Sequence, residues 1–258
     1  MENKDTYIYK YCSFDAAEKI VKTQSLRFNN PSKFNDPFDC DINLLDFDFS
    51  DCCDEVLNDI EESIEIAKEN FRYYPKDFVN KLLNATLTNG FKQNNFKNSV
   101  LTKISKSVIC CFSLDYSNST MWSHYAESHK GVCFIFDFEV TDRFIDKEIN
   151  KKISSRIVEY KELKLINYLK DKKKGINNLF FTKSTDWSYE KEVRLLILNK
   201  NIEDIKFNKS FLKGIVFGAN VTNENIEKLK SIIQNLSYPE FHFGKFIKNK
   251  LKLKLVWI

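Results

Sequence analysis

The sequence specifies an α+β domain built on a mixed β-sheet, with its helices gathered in blocks. Three features point there. Short apolar runs suited to buried strands recur after residue 107, the middle of the chain switches to helical periodicity, and no regular βαβ alternation joins the two. The 258 residues are 43% hydrophobic and 14% aromatic, a globular composition expected to form one domain over 1–258, with a helical insertion at about 51–106.

The opening reads strand, helix, strand. Tyr7-Ile-Tyr-Lys-Tyr11 is β-favouring, Ser13 is placed to cap a helix with Phe14, Ala17, Ile20 and Val21 on one face, and Ser25-Leu-Arg-Phe28 forms a second strand. Asn29-Asn-Pro-Ser-Lys-Phe-Asn-Asp-Pro-Phe-Asp39 then holds two of the four prolines. It reads as a rigid loop, because proline fixes its own φ and turns Asn30 and Asp36 away from helix. Within 51–106, Leu57, Ile60, Ile64, Ala67 and Phe71 make an amphipathic stripe. Pro75 opens a second helix carrying Phe78, Val79, Leu82, Leu83 and Leu87.

The period then shortens. Val108-Ile-Cys-Cys-Phe-Ser113 suits a buried strand, Ser119–Ala126 a short helix, and Val132–Phe136 another strand. Strands are also expected over Ser154–Tyr160, Glu192–Leu198 and Leu212–Phe217, with helical sequence within 161–181. Thr222 opens a helix bearing Ile226, Leu229, Ile232, Ile233 and Leu236, and Leu251-Lys-Leu-Lys-Leu255 alternates as a half-buried strand.

Composition removes several functions. The six glycines and four prolines make up about 4% of the chain against an average near 12%, and neither a P-loop nor a Rossmann glycine pattern occurs. The seven cysteines include adjacent pairs rather than metal-type spacings, and His124 and His129 fall on different helix faces, so no metal is expected. No secretory leader or membrane span is visible, which predicts a cytoplasmic protein with reduced thiols and no membrane partner. Thirteen acidic residues and one lysine between Asp36 and Glu69 give that segment −12. The chain's net +4 therefore leaves +16 for the remainder, suiting an anionic ligand such as a dinucleotide or nucleic acid, or simply solvated basic faces.

Two clusters carry candidate chemistry. Ser113 ends an apolar strand, and Trp122, His124 and Tyr125 follow on a turn and helix, forming either a pocket edge or ordinary core aromatics. Glu190 and Glu192 both precede an apolar strand in Trp187-Ser-Tyr-Glu-Lys-Glu-Val-Arg194. If that segment is extended they share one side. They are then either a reactive carboxylate pair or a charged strand entrance paired to Lys191 or Arg194. Lys10 points to the opposite face from Tyr9 and Tyr11, where its ammonium is a point charge for phosphate or one more surface lysine.

The ordered segments Tyr9-Lys-Tyr11, Asn29-x-Pro-x-x-Phe-Asn-Asp-Pro-Phe38, Cys111-Phe-Ser113, Met121-Trp-Ser-His-Tyr-Ala126, His129-Lys-Gly131 and Trp187-x-Tyr-Glu-Lys-Glu-x-Arg194 resemble a bacterial family filed as domain of unknown function 2971. More distantly, Ile8-Tyr-Lys-Tyr-Cys12, Phe112-Ser113 and Glu190-Lys-Glu192 are similar in order to the three motifs of mono-ADP-ribosyltransferases. Those enzymes carry His or Arg where this chain has Lys10.

This second resemblance implies a split sheet and cleavage of NAD at the nicotinamide ribose, by transfer or hydrolysis, as in a toxin or phage-defence effector. It implies Glu192 as the carboxylate that stabilises the oxocarbenium-like state and Glu190 as the group orienting the acceptor. Ser113 would bond the nicotinamide end, while Lys10 with Tyr11 would hold the adenosine ribose or diphosphate. Trp122 or Tyr125 would stack on a ring, and His124 would wall the pocket. NAD would be the substrate, and the acceptor a protein or nucleic acid. The alternative is a non-catalytic module that binds a nucleotide, nucleic acid or protein.

Overall fold

The computed structural model describes residues 7–48, 89–137, 153–198, 204–249 and 252–258, together with Asn58, Glu62 and Pro75. The two amphipathic helices expected over 57–71 and from Pro75 to Leu87 lie outside the described residues.

The chain opens with strand β1 (Tyr7–Cys12), helix α1 (Phe14–Thr23) and strand β2 (Ser25–Arg27). Ser13 caps α1 by accepting from the Ala16 amide, and Phe14, Ala17, Ile20 and Val21 are the helix's buried face. A 3-10 turn at Pro31–Lys33 and another at Ile42–Leu44 lead to β3 (Leu45–Asp46). Helix α2 (Asn89–Ser105), β4 (Val108–Ser113), α3 (Ser119–Tyr125) and β5 (Val132–Asp137) follow. Next come β6 (Ile153–Ile157), β7 (Glu159–Tyr160), β8 (Ile166–Asn167), α4 (Lys172–Phe181), β9 (Thr182–Lys183) and β10 (Glu192–Ile197). Then β11 (Asp204–Lys206), β12 (Leu212–Phe217), α5 (Asn223–Asn235), β13 (His242–Asn249) and β14 (Lys252–Trp257) complete the order. Thr222 caps α5 through the Asn225 amide. No described helix is long and apolar enough to cross a membrane.

Eight strands form one mixed sheet in the order β14-β13-β12-β5-β1-β4-β10-β6, which bears out an α+β fold on a large mixed sheet. All neighbours are antiparallel except β12 and β13, which run parallel with α5 between them. One βαβ unit is thus present where the sequence suggested none. Lysines and Gly244 interrupt β13, so its apolar signal is weak.

Between β1 and β4 the sheet parts. Tyr9↔Ser113 is their only registered pair among the described residues, and Ile109 exchanges both backbone hydrogen bonds with Asn29 instead.

One face packs Ile8, Cys110, Phe112, Phe134, Val193 and Leu195 against α1 and α5. The other face is covered in two separate pieces. Helix α3 brings Met121 and Trp122 onto Tyr11, Cys133 and Val216, while α2 and α4 cover Ile109 and Leu196 with Ile104, Leu179 and Phe180. Between these pieces no described helix lies over the ends of β4 and β10 that carry Ser113 and Glu192.

Candidate functional site

A cavity of about 360 Å³ opens over those strand ends. Its lining includes Lys10 and Tyr11 from β1, Ser113 from β4, His124 and Tyr125 from α3, and Glu190 and Glu192 at the entrance to β10. Exposed Arg27, Lys33, Asn35 and His124 make its mouth, and buried Asp39, Lys183, Glu190 and Glu192 its floor.

Register explains part of this convergence. Tyr9, Ser113 and Glu192 lie opposite one another across three neighbouring strands, and Arg194 faces Cys111 one step further. Residues in register share a face, so Glu192 and Arg194 both enter the site while Val193 and Leu195 enter the opposite core.

Glu190 arrives differently. The Glu190–Glu192 segment is not extended, because Thr185–Glu190 is a 3-10 turn and Lys191 adopts φ 45°, ψ 53°. This left-handed residue, held by the Leu114 amide on its carbonyl at 2.9 Å, returns both glutamates to one floor.

The floor is a buried ionic network. Arg194, fully buried, donates through Nε and Nη2 to the two oxygens of Glu192 at 3.0 and 2.8 Å. Its Nη2 also reaches Asp39 Oδ2 at 2.6 Å, and Nη1 reaches the Phe180 carbonyl at 2.8 Å and Cys40 Sγ at 3.2 Å. Lys183 Nζ lies 2.6 Å from Glu190, 3.3 Å from Asp39 and 3.9 Å from Glu192, with the Trp187 ring 4.6 Å from the ammonium. Three carboxylates therefore surround two cations. Buried charges persist only when paired in this way.

Each charge responds to its neighbours. Burial pushes the Asp39 carboxyl up, but Arg194 and Lys183 more than offset it and hold Asp39 below the usual carboxylate range. For Glu190 burial wins over Lys183 and Tyr125, and its carboxyl lies above that range. Burial opposes the charge on Lys183, yet Glu192, Asp39 and Glu190 together raise it.

A second chain of hydrogen bonds crosses the mouth. Asn35 Nδ2 donates to the Tyr125 hydroxyl at 3.2 Å, and that hydroxyl donates to Glu190 Oε1 at 2.5 Å. Asn35 is held out by a tethered loop. Asn30 donates to the carbonyls of Ser105 and Ser107, Asp36 accepts from the Phe38 amide, and Asp39 is tied to Arg194.

The sequence candidates take different roles. Lys10 spans the parting of the sheet, donating to the Cys111 carbonyl at 2.9 Å with its ammonium 5.4 Å from the Phe112 ring. Ser113 Oγ donates to the Glu190 carbonyl at 2.6 Å and accepts from the Asp115 amide at 3.0 Å, so its hydroxyl braces the turn. Tyr11 lines the cavity but sends its hydroxyl to the Asp115 carbonyl at 2.8 Å. His124 stands at the mouth with Nδ1 3.2 Å from the Tyr189 hydroxyl.

Trp122 is a correction. It is fully buried, donates to the Tyr116 carbonyl at 2.8 Å and stacks on His129, because α3 presents it to the core rather than to the cavity. Tyr125 contributes its hydroxyl to Glu190 rather than a bare ring face. Burial raises the thiols of Cys40, Cys110, Cys111 and Cys133, which leaves them protonated and poor nucleophiles.

Asp39, Lys183, Arg194 and Asn35 were not among the sequence candidates. The signal that marks Arg194 is its place inside the apolar run Val193–Ile197, where a buried guanidinium demands carboxylates.

Residues 121–195 match the family described as "Protein of unknown function (DUF2971)", in agreement with the motifs in that part of the chain. No curated protein and no solved structure matches the chain. The likeness to ADP-ribosyltransferases therefore rests on motif order alone.

Proposed function

We propose that this chain, which carries the DUF2971 segment at residues 121–195, binds an NAD-type nucleotide in the cavity and cleaves it at the nicotinamide ribose. The observation that supports this reading is the shared cavity: Lys10, Ser113 and the Glu190–Glu192 pair, drawn from three separate strands or strand entrances, line one space. Buried carboxylates on the floor suit a developing oxocarbenium charge, and the basic groups Lys10 and Lys33, with Arg27 paired to Asp204 beside them, suit phosphates. In the reaction the bond from ribose C1′ to the ring nitrogen breaks, and nicotinamide leaves with the electron pair. An oxygen of water or of an acceptor then bonds to C1′ and gives its proton to a floor carboxylate.

Incubation with adenylate-labelled NAD tests this. Nicotinamide should be released, with label passing to ADP-ribose or an acceptor, and Glu190→Gln should reduce release at least about 100-fold. Release by the wild type no greater than in a protein-free blank rejects catalysis.

One set of contacts favours a second reading, a nucleotide-binding module without turnover. The Ser113 hydroxyl, the Lys10 ammonium and both oxygens of Glu192 all make internal bonds. That reading predicts saturable binding of NAD with no nicotinamide released.

A further inference from the structure

We infer that the two floor glutamates have separate tasks: Glu190 meets the ligand, Glu192 is a framework group, and Lys183 positions Glu190. The inference rests on reading the cavity as a nucleotide site, and it selects a different carboxylate from the one implied by motif order.

Glu192 is fixed from every side. Both oxygens lie on the fork of Arg194, and a bidentate pair holds a carboxylate in one plane. The Glu192 backbone amide donates to the Tyr160 hydroxyl at 2.7 Å, so its main chain is fixed as well. Turning this side chain toward a ligand would strip a fully buried guanidinium of one of its two carboxylates.

Glu190 has one partner on each oxygen, Tyr125 on Oε1 and Lys183 on Oε2. Each carboxylate oxygen can accept a second hydrogen bond. The Tyr125 partner also belongs to the mouth, because its hydroxyl receives the exposed Asn35 amide, a contact that a ligand hydroxyl can replace one for one. The route from solvent to a floor carboxylate thus passes Asn35 and Tyr125 and ends on Glu190.

Lys183 aims that carboxylate. Arg194 shares its single charge between Asp39 and Glu192, and Lys183, which faces all three carboxylates, makes its shortest contact with Glu190 at 2.6 Å. Pairing of β9 with β7 fixes its main chain, and the Trp187 ring lies against the ammonium. Lys183 is a positioning residue, and its effect is read through Glu190.

The experiment uses the full chain with 13Cδ-labelled glutamate, wild type beside Lys183→Met, Lys183→Arg, Glu190→Gln and Glu192→Gln. Saturating ADP-ribose should move the Glu190 resonance and leave that of Glu192 in place. Lys183→Met should raise the Glu190 titration midpoint by about one pH unit or more, and Lys183→Arg should restore most of it. Glu192→Gln should lower Tm by about 10 °C or fail to fold, and Glu190→Gln by less than half as much.

A ligand shift confined to Glu192, an unchanged midpoint in Lys183→Met, or the reverse order of Tm losses overturns the inference. The midpoint and Tm readings need no ligand. If wild type releases no nicotinamide, the proposed cleavage fails while these two still decide the division of tasks. If cleavage occurs but survives Glu190→Gln, the division fails while the nucleotide reading stands.

Discussion

Tyr125 reaches across the mouth of the cavity to donate its phenol hydrogen to Glu190 Oε1 at 2.5 Å. One sits on a short helix and the other ends a 3-10 turn 65 residues later, so this bond ties the two parts of the DUF2971 segment together. The bond favours the ionised carboxylate, and Tyr125→Phe should therefore raise the Glu190 titration further and cost about 1–2 kcal/mol of stability. NMR titration and urea unfolding measure the two effects.

Arg194 gives a larger expectation. Arg194→Met leaves Asp39 and Glu192 buried without their main counter-charge, and breaking a buried pair costs about 3–5 kcal/mol. Lysine should rescue only part of the loss, because it lacks the fork that holds both Glu192 oxygens. Equilibrium unfolding of the two variants decides this; full rescue by lysine would show that charge alone suffices.

The pH dependence of stability should have two opposed parts. The Asp39 carboxyl is depressed in the fold, so its contribution is present above the ordinary carboxylate pKa and is lost as pH falls through the folded value. Glu190 is raised, so the folded protein binds its proton more tightly than the unfolded chain does. Its ionisation costs stability above the folded pKa, and that cost is relieved as pH falls toward the ordinary glutamate value. Tm should rise slightly on mild acidification and then drop steeply. Glu190→Gln should abolish the rise and keep the drop.

Two glycines mark close backbone approaches. A Cβ on Gly131 would stand 2.2 Å from the Cys12 carbonyl oxygen, and one on Gly218 would stand 2.2 Å from the His129 carbonyl oxygen. Both neighbours are main chain and cannot rotate away. Gly131→Ala and Gly218→Ala should each cost at least about 2 kcal/mol, read as a lower urea midpoint. The His129-Lys-Gly131 stretch of the family resemblance is thereby explained by space, since Gly218 also donates its amide to the Gly131 carbonyl at 3.0 Å.

Strands β4 and β10, helices α1, α3 and α5, and the caps Ser13 and Thr222 were readable because each is written locally, as an apolar period or a side-chain oxygen before a helix. Strand β13 was not, because its lysines and glycine dilute the pattern and its partner β12 is parallel. The outline of the site was visible in Lys10, Ser113, Tyr125, Glu190 and Glu192. Of its electrostatics the Glu192–Arg194 pairing was one of the alternatives, but Asp39 was not foreseen: it and Arg194 are 155 positions apart, and nothing in either neighbourhood names the other. Trp122 was ambiguous for a related reason, since a tryptophan on a short helix reads the same whether it faces a pocket or a core.

The segment shared with the family, residues 121–195, supplies Tyr125, Lys183, Glu190, Glu192 and Arg194, but Lys10, Asn35 and Asp39 come from the first forty residues. Cut out alone, that segment would hold two glutamates and two cations with no Asp39 to complete the network and no Asn35 across the mouth. The matched segment therefore does not contain every residue that builds the site. A relative judged only over the shared segment is half described until its own N-terminal loop has been inspected for an asparagine and an aspartate in these places.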